Sequence, residues 1–234
     1  MYSLLKFGCK ESIACSLLYS GIVAMQGYIA GKLNMIGLTG GIACGKSTVL
    51  SIVIQEFPKK FGVIDCDLIS REVVRPGRYA YKKIVSHFGN EILLRDGTIN
   101  RTALGNVVFN NREERNKLNR IIQPVILFEI LKQIIMYKLK GYSNVILDAP
   151  LLYETRVLEH FCYPIIVVYI QNEDEWLERL MKRDSISKLD AKTKIECQMP
   201  ISTKVQKADV VLNNSQSIGL LAEQVRRLLN SILN

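Results

Sequence analysis

Unbroken apolar runs recur along the chain from Met35 onward: MIGL at 35–38, GVID at 62–65, NVILD at 144–148, PIIVVYI at 164–170 and ADVVLN at 208–213. Val, Ile and Leu in continuous runs, without polar alternation, suit strands buried on both faces, as in a parallel sheet covered by helices. Between these runs, apolar positions recur at helical spacing over 47–57, 101–109, 113–122, 173–183 and 187–198. Strand and helix therefore alternate, which predicts a doubly wound α/β domain with a parallel sheet of roughly five strands. The widest gap between strands, about residues 66–143, is mostly helical by pattern and too long for a plain crossover, so it is expected to be an inserted substrate-binding subdomain. No internal repeat, low-complexity tract or Pro/Gly linker divides the chain.

The pattern changes before Met35. Residues 12–31 carry no charge and approach the length that spans a bilayer. Lys6, Lys10 and Lys32 flank the run, while Gln26, the glycines and the serines weaken its hydrophobicity. No arginine precedes Arg71, which argues against a strong mitochondrial presequence. Residues 1–34 are expected to be a dispensable extension or a misassigned start, with a targeting segment or anchor as the alternative; 35–234 form the functional domain. A cytoplasmic location follows, with mitochondrial or membrane association only through 12–31.

Composition narrows the partners. Hydrophobic residues at 48% and charged ones at 23% are ordinary for a globular domain, but a net charge of +9 favours an anionic ligand. No dense Lys/Arg block or basic–aromatic interleaving appears, so polyphosphate metabolites are favoured over nucleic acid. Six cysteines, at 9, 15, 44, 66, 162 and 197, form neither a C-x-x-C pair nor a zinc spacing and read as reduced thiols of an intracellular protein.

The first strand runs into Gly40-Gly41-Ile42-Ala43-Cys44-Gly45-Lys46-Ser47-Thr48, which fits G-x-x-x-x-G-K-S/T between a predicted strand and a predicted helix. Glycines let backbone N–H groups converge on phosphate oxygens where a Cβ would intrude. The helix N-terminus and Lys46 add positive potential, and Ser47 offers a hydroxyl to Mg²⁺. The loop is expected to hold the β- and γ-phosphates of ATP, with Cys44 as a small filler. The architecture thus predicted is a P-loop three-layer sandwich with a helical insertion and a small helical lid.

A P-loop serves switches, motors and kinases alike. Asn116-Lys117-Leu118-Asn119 resembles a guanine-reading N-K-x-D but lacks the Asp and lies within a helical pattern. LDAPLLYE, after the third strand, has no glycine for a nucleotide-sensing D-x-x-G, so a GTPase switch is disfavoured. A small-molecule kinase needs a base at the sheet's carboxyl edge, where ligands of open α/β sheets bind. VIDCDLI places Asp65 and Asp67 there. Asp65, at the strand end, is the expected base, whereas Asp67 suits a cap for the helix from Leu68 onward. Arg179, Lys182 and Arg183 end a helix before a polar turn and could close a lid over the triphosphate, spanning about 179–200. Asp148 ends the third strand in the place of a carboxylate that holds Mg²⁺ through water or anchors the next loop. His87 and His160 join no such group and are expected to be structural.

GLTGGIACGKSTV, VIDCDLISREVVRPG, DGTINRTALGNVVFNNREERNKLNRIIQP, LDAPLLYE, RLMKRDSISKLDAKTKIECQMP and KADVVLNNS follow one another in an order and spacing that resemble the dephospho-coenzyme A kinase family, from Met35 to Ser215. The resemblance implies transfer of the ATP γ-phosphate to the ribose 3′-hydroxyl of dephospho-CoA, the last step of coenzyme A synthesis. It implies Asp65 as general base, Gly40 to Thr48 as the ATP loop and Arg183 as a lid arginine, and it matches Gln198 to a glutamine near the end of the lid. It further implies that the helices around 66–130 and the loop of Pro150, Leu151, Leu152 and Glu154 form the acceptor side. Gln123 stands where the family often has His, and Tyr153 where Phe is usual. Another nucleoside or nucleotide kinase, or a P-loop nucleotide switch, are the alternative readings.

Overall fold

The computed structural model describes residues 34–109 and 111–234; the uncharged run 12–31 lies outside them. Five strands, β1 (Met35–Gly40), β2 (Phe61–Asp65), β3 (Asn144–Asp148), β4 (Ile165–Tyr169) and β5 (Val210–Asn213), form one parallel sheet in the order β2-β3-β1-β4-β5. Every predicted run forms a strand. β1 extends two residues beyond its predicted end, because Thr39 and Gly40 continue the pairing with β4. From β1 the chain crosses to β2 on one side, and from β3 it crosses to β4 on the other. Their carboxyl ends therefore flank the crevice where such sheets bind ligands. Register brings Asp65 level with Asp148 and Leu38 level with Asp148.

Helices cover both faces. On one, α1 (Lys46–Glu56) and α9 (Ile218–Leu233) pack on the sheet through Val49, Ile52, Val53, Leu221, Val225 and Leu229, which sit at i, i+3 or i+4 spacing. On the other lies the carboxyl half of α5 (Arg112–Leu139), which buries Ile130 and Ile134. Tyr137 of that helix donates to the Val63 carbonyl at 2.9 Å, and its ring lies so close to Gly62 that a Cβ there would collide with it.

The pattern predicted only 113–122 of α5, since a proline removes one helical donor and clashes with the preceding turn. The helix nevertheless continues through Pro124 to a length of 28 residues, because its second half has the sheet to bury against. The segment after β2 is helical: α2 (Cys66–Glu72), α3 (Tyr79–Phe88), α4 (Arg101–Phe109) and the first half of α5. Ile84, Phe88, Ile92 and Leu104 give it a small core of its own. Beyond β4, α6 (Glu173–Asp184) and α7 (Lys188–Glu196) form a helical pair, followed by α8 (Ile201–Lys207). Among the described residues no helix is long and apolar enough to cross a membrane.

Candidate active site

The loop between β1 and α1 is shaped by glycines and clamped from behind. Gly45 has φ +94°, and a Cβ there would strike the Asn214 amide. Gly40 packs against the Val168 carbonyl with no room for a side chain. Trp176 Nε1 donates to the Ile42 carbonyl at 2.6 Å, and Gln198 Oε1 accepts from the Ile42 N–H at 3.1 Å. Asn214 Nδ2 donates to the Cys44 carbonyl at 2.9 Å. The Cys44 thiol is fully buried, and burial pushes it up to about 11, so it is an inert filler. Gly45 caps α1 without any side-chain acceptor. Thr48 N–H donates to the Gly45 carbonyl at 3.0 Å, which leaves the Lys46 and Ser47 N–H groups for an anion, with the helix dipole behind them.

In front of the loop opens a cleft of about 550 Å³. Ile42, Ala43, Gly45, Lys46, Ser47 and Thr48 form its floor, whereas Gly40, Gly41 and Cys44 shape the loop from outside the lining. Four cations (Lys46, Arg71, Arg179, Arg183) and two carboxylates (Asp67, Asp148) share its walls, with Pro150, Gln198 and Asn214. Cations outnumber carboxylates, so the cleft suits a polyphosphate.

Lys46 and Asp148 perturb each other. Burial lowers the Lys46 pKa, and the Asp148 carboxylate opposes this. Burial raises Asp148 from 3.8 to about 6; Lys46 pulls it back, and Asp65 and Asp67 add to the rise. Among the described residues, Asp148 Oδ1 is buried without a hydrogen-bond partner. An orphaned acceptor of this kind costs about 1–3 kcal/mol, and a cation or its bound water would relieve it. With the Ser47 hydroxyl lining the same cleft, the residues fit a divalent cation. Among the described residues no group of three or more His, Cys, Asp or Glu could hold a metal. Such an ion would therefore take most of its ligands from phosphate and water, as Mg²⁺ commonly does.

The two carboxylates at the end of β2 sit differently from expectation. Asp65, the expected base, is the N-cap of α2 and accepts from the Leu68 N–H at 2.8 Å. Asp67, the expected cap, sits in the first turn and lines the cleft with Lys46. The physical reason is the start of the helix at Cys66, which makes the preceding residue the cap.

The loop after β3 also differs from expectation. Only Pro150 reaches the cleft. Leu151 is exposed outside the cleft lining, and Leu152 is fully buried in the core beside Gly37. Glu154 pairs with the wholly buried Lys204 at 2.8 Å and accepts from the Met199 N–H at 3.1 Å. Lys204 Nζ also donates to the Pro150 carbonyl at 2.8 Å, and Thr39 Oγ1 donates to the same oxygen at 3.1 Å. Leu152 and Glu154 thus hold the loop in place. Gln123 lies by Leu127 and Leu158, away from the cleft, and Tyr153 is buried under Lys207.

Arg183, the expected lid arginine, lines the cleft wall and pairs through Nε with Asp184 at 2.8 Å. The second Asp184 oxygen accepts from Lys194 at 2.8 Å, tying α6 to α7, and these two cations hold Asp184 at about 2. Lys182 is outside the lining. His87 pairs with Glu114 at 2.7 Å on the insertion. Two cleft residues escaped the sequence reading. Arg71 stands one helical turn after Asp67, a spacing that would have exposed it, and Asn214 follows the end of β5 at the ligand-binding edge.

Comparison with known proteins agrees with this geometry. The family described as Dephospho-CoA kinase matches residues 34–219. A "Dephospho-CoA kinase domain-containing protein" of Danio rerio is 46% identical over 196 residues, 83% of each chain. The dephospho-CoA kinase of Carboxydothermus hydrogenoformans is 45% identical over 84% of this chain and 93% of its own. The solved dephospho-CoA kinase from Campylobacter jejuni superposes with a TM-score of 0.54 at 30% identity, over 85% of this chain and 97% of that one. The family match and these relatives cover nearly the whole described chain, and the chain belongs to the dephospho-CoA kinase family.

Proposed function

We propose that the chain transfers the γ-phosphoryl group of ATP to the ribose 3′-hydroxyl of dephospho-CoA, with Asp67 as the general base. The observation that carries the assignment is the shared wall: Asp67 lines the same cleft as Lys46 and Ser47, while the Asp65 carboxylate is engaged at the helix cap. The acceptor 3′-oxygen forms its bond to the γ-phosphorus as the bond to the β–γ bridging oxygen breaks and ADP leaves. The hydroxyl proton passes to the Asp67 carboxylate. Lys46, Arg71, Arg179 and Arg183 surround the transferring group with positive charge, and little covalent chemistry is asked of the protein beyond that. Mg²⁺, met by the Ser47 hydroxyl and through water by Asp148, would neutralise charge on the β- and γ-oxygens. Gly40 to Thr48 bind the ATP phosphates, and Pro150 borders the acceptor.

The test is an acceptor screen with ATP and Mg²⁺ that compares dephospho-CoA, AMP, dCMP and adenosine, with phosphorus NMR to locate the new phosphate. Acceptor-dependent ADP formation should be fastest with dephospho-CoA, with the phosphate on the 3′-oxygen. A higher kcat/KM for another acceptor, or ADP formation indifferent to acceptor, would sink the proposal.

A further inference from the structure

Behind the cleft, hydrogen bonds close into a ring around one buried cation. Lys204 of α8 has no exposed surface, and its Nζ donates to the Pro150 carbonyl and to Glu154 Oε1, each at 2.8 Å. Glu154 Oε1 also accepts from the Met199 N–H at 3.1 Å. Met199 follows Gln198, whose Oε1 accepts from the Ile42 N–H of the loop between β1 and α1. The Pro150 carbonyl accepts in turn from the Thr39 hydroxyl, one residue before Gly40 opens that loop. The path thus leaves the loop through Gln198, Met199 and Glu154 and returns to it through Lys204, Pro150 and Thr39.

Three walls of the cleft hang on this ring. Pro150 and Gln198 both line the cleft, and the loop is its floor. Pro150 has no N–H, so its carbonyl is the one main-chain group by which a hydrogen bond can hold it. Both donors to that carbonyl, Lys204 and Thr39, belong to the ring. An ammonium offers three rotatable donors on a flexible stem, which suits it to join groups from separate elements. Stability alone is a weak reason for such a group, because a buried ion pair is often no better than apolar side chains of similar volume. The Lys204 charge is also felt in the cleft: burial is the main cause of the lowered Lys46 pKa, and Lys204 adds to it.

We propose that Lys204 is a positioning residue for phosphoryl transfer, and that with Glu154 it sets Pro150 and Gln198 against the nucleotide loop. The inference rests on the reaction assigned above. In that reaction the loop holds the donor phosphates and Pro150 borders the acceptor, so the ring fixes the spacing between them. Lys204 touches neither substrate and acts only through the groups it holds. Displacing reacting groups by about 1 Å costs roughly a hundredfold in rate, so a small drift of Pro150 matters.

The experiment compares the full chain with two variants, Lys204→Met/Glu154→Gln and Thr39→Val, by thermal midpoint and steady-state kinetics. The double variant leaves no charge unpaired, and its Gln oxygen still accepts from the Met199 N–H, so its midpoint should stay near that of the wild type. In each variant the Pro150 carbonyl keeps one donor. The kcat for dephospho-CoA should fall roughly ten- to a hundredfold in the double variant and about fivefold in Thr39→Val. The KM values for ATP and dephospho-CoA should stay within about twofold. A pair that serves stability alone would move only the midpoint. Wild-type kcat in the folded double variant would therefore overturn the inference, as would a rise in either KM with kcat unchanged. Should the double variant fail to fold, Thr39→Val decides: a lowered kcat supports the positioning of Pro150, and a wild-type kcat overturns it. These outcomes leave the reaction intact, whereas a wild-type chain that fails to phosphorylate dephospho-CoA would overturn both the reaction and this inference.

Discussion

Asp65 and Asp67 stand two residues apart, and because α2 begins between them the first caps the helix while the second lines the cleft. A cap carboxylate stabilises a helix by about 0.5–2 kcal/mol, whereas a base acts only if it reaches the reacting proton. Asp67→Asn should lower kcat by roughly two to four orders of magnitude with ATP binding retained. Asp65→Asn should keep most of its activity, since Asn also caps well. Rapid quench of the purified variants decides between them, and the reverse ranking would restore Asp65 as base. At Lys46 a preorganised charge is at stake: Lys46→Ala should cost roughly 3–4 kcal/mol of transition-state stabilisation. The same variant should lose most of the thermal shift that ATP gives. Wild-type kcat/KM in that protein would contradict the loop's role. The P-loop residues were legible because their spacing is their geometry. Which aspartate caps the helix and which lines the cleft was not, since that depends on the single residue at which a helix starts, and pattern places such boundaries only to within a few residues.

At the scale of elements, strands were the most legible part, because a strand buried on both faces must be apolar throughout. Helix α5 was legible only up to Pro124, and what carries it further is the burial of Ile130 and Ile134 against the sheet, a tertiary effect. The packing of the loop after β3 was not legible for a related reason. Its fate is set by Lys204 of α8, fifty residues away in sequence, and no local spacing announces that pair. Lys204 is wholly buried, while Glu154 keeps some contact with water. Breaking a fully buried pair by removing one partner costs about 3–5 kcal/mol, so Lys204→Ala should destabilise at or below the low end of that range. Its thermal midpoint should fall by several degrees, and the Pro150 carbonyl should lose one of its two donors. An unaltered midpoint would mean that the pair contributes nothing net, the usual result for exposed ion pairs.

For the molecule as a whole, the question is where the folded unit begins. Among the described residues, every one that lines the cleft follows Met35, and every strand of the sheet begins at or after it. Asn34 is nevertheless part of the structure: its carbonyl accepts from the Val145 N–H at 3.0 Å, and its side-chain amide donates to the Ser143 carbonyl at 3.3 Å. These two bonds pin the entry of β1 to the start of β3, its neighbour in the sheet. Each is worth about 0.5–1.5 kcal/mol, and the buried Val145 N–H would be left unpaired without its partner. A chain beginning at Asn34 should therefore match the full chain in thermal midpoint and in kcat/KM for dephospho-CoA. One beginning at Met35 should keep a similar kcat/KM but melt a few degrees lower. The uncharged run 12–31 adds a separate arm to the experiment, because its length approaches that of a bilayer span. Its glycines, serines and Gln26 make it a poor anchor, so the full chain should stay in the supernatant with lipid vesicles, as the shortened chains do. Sedimentation of the full chain alone would establish the run as a membrane anchor. Loss of activity in the chain beginning at Asn34 would show that the first 33 residues complete the fold, and the boundary drawn at the start of β1 would be wrong.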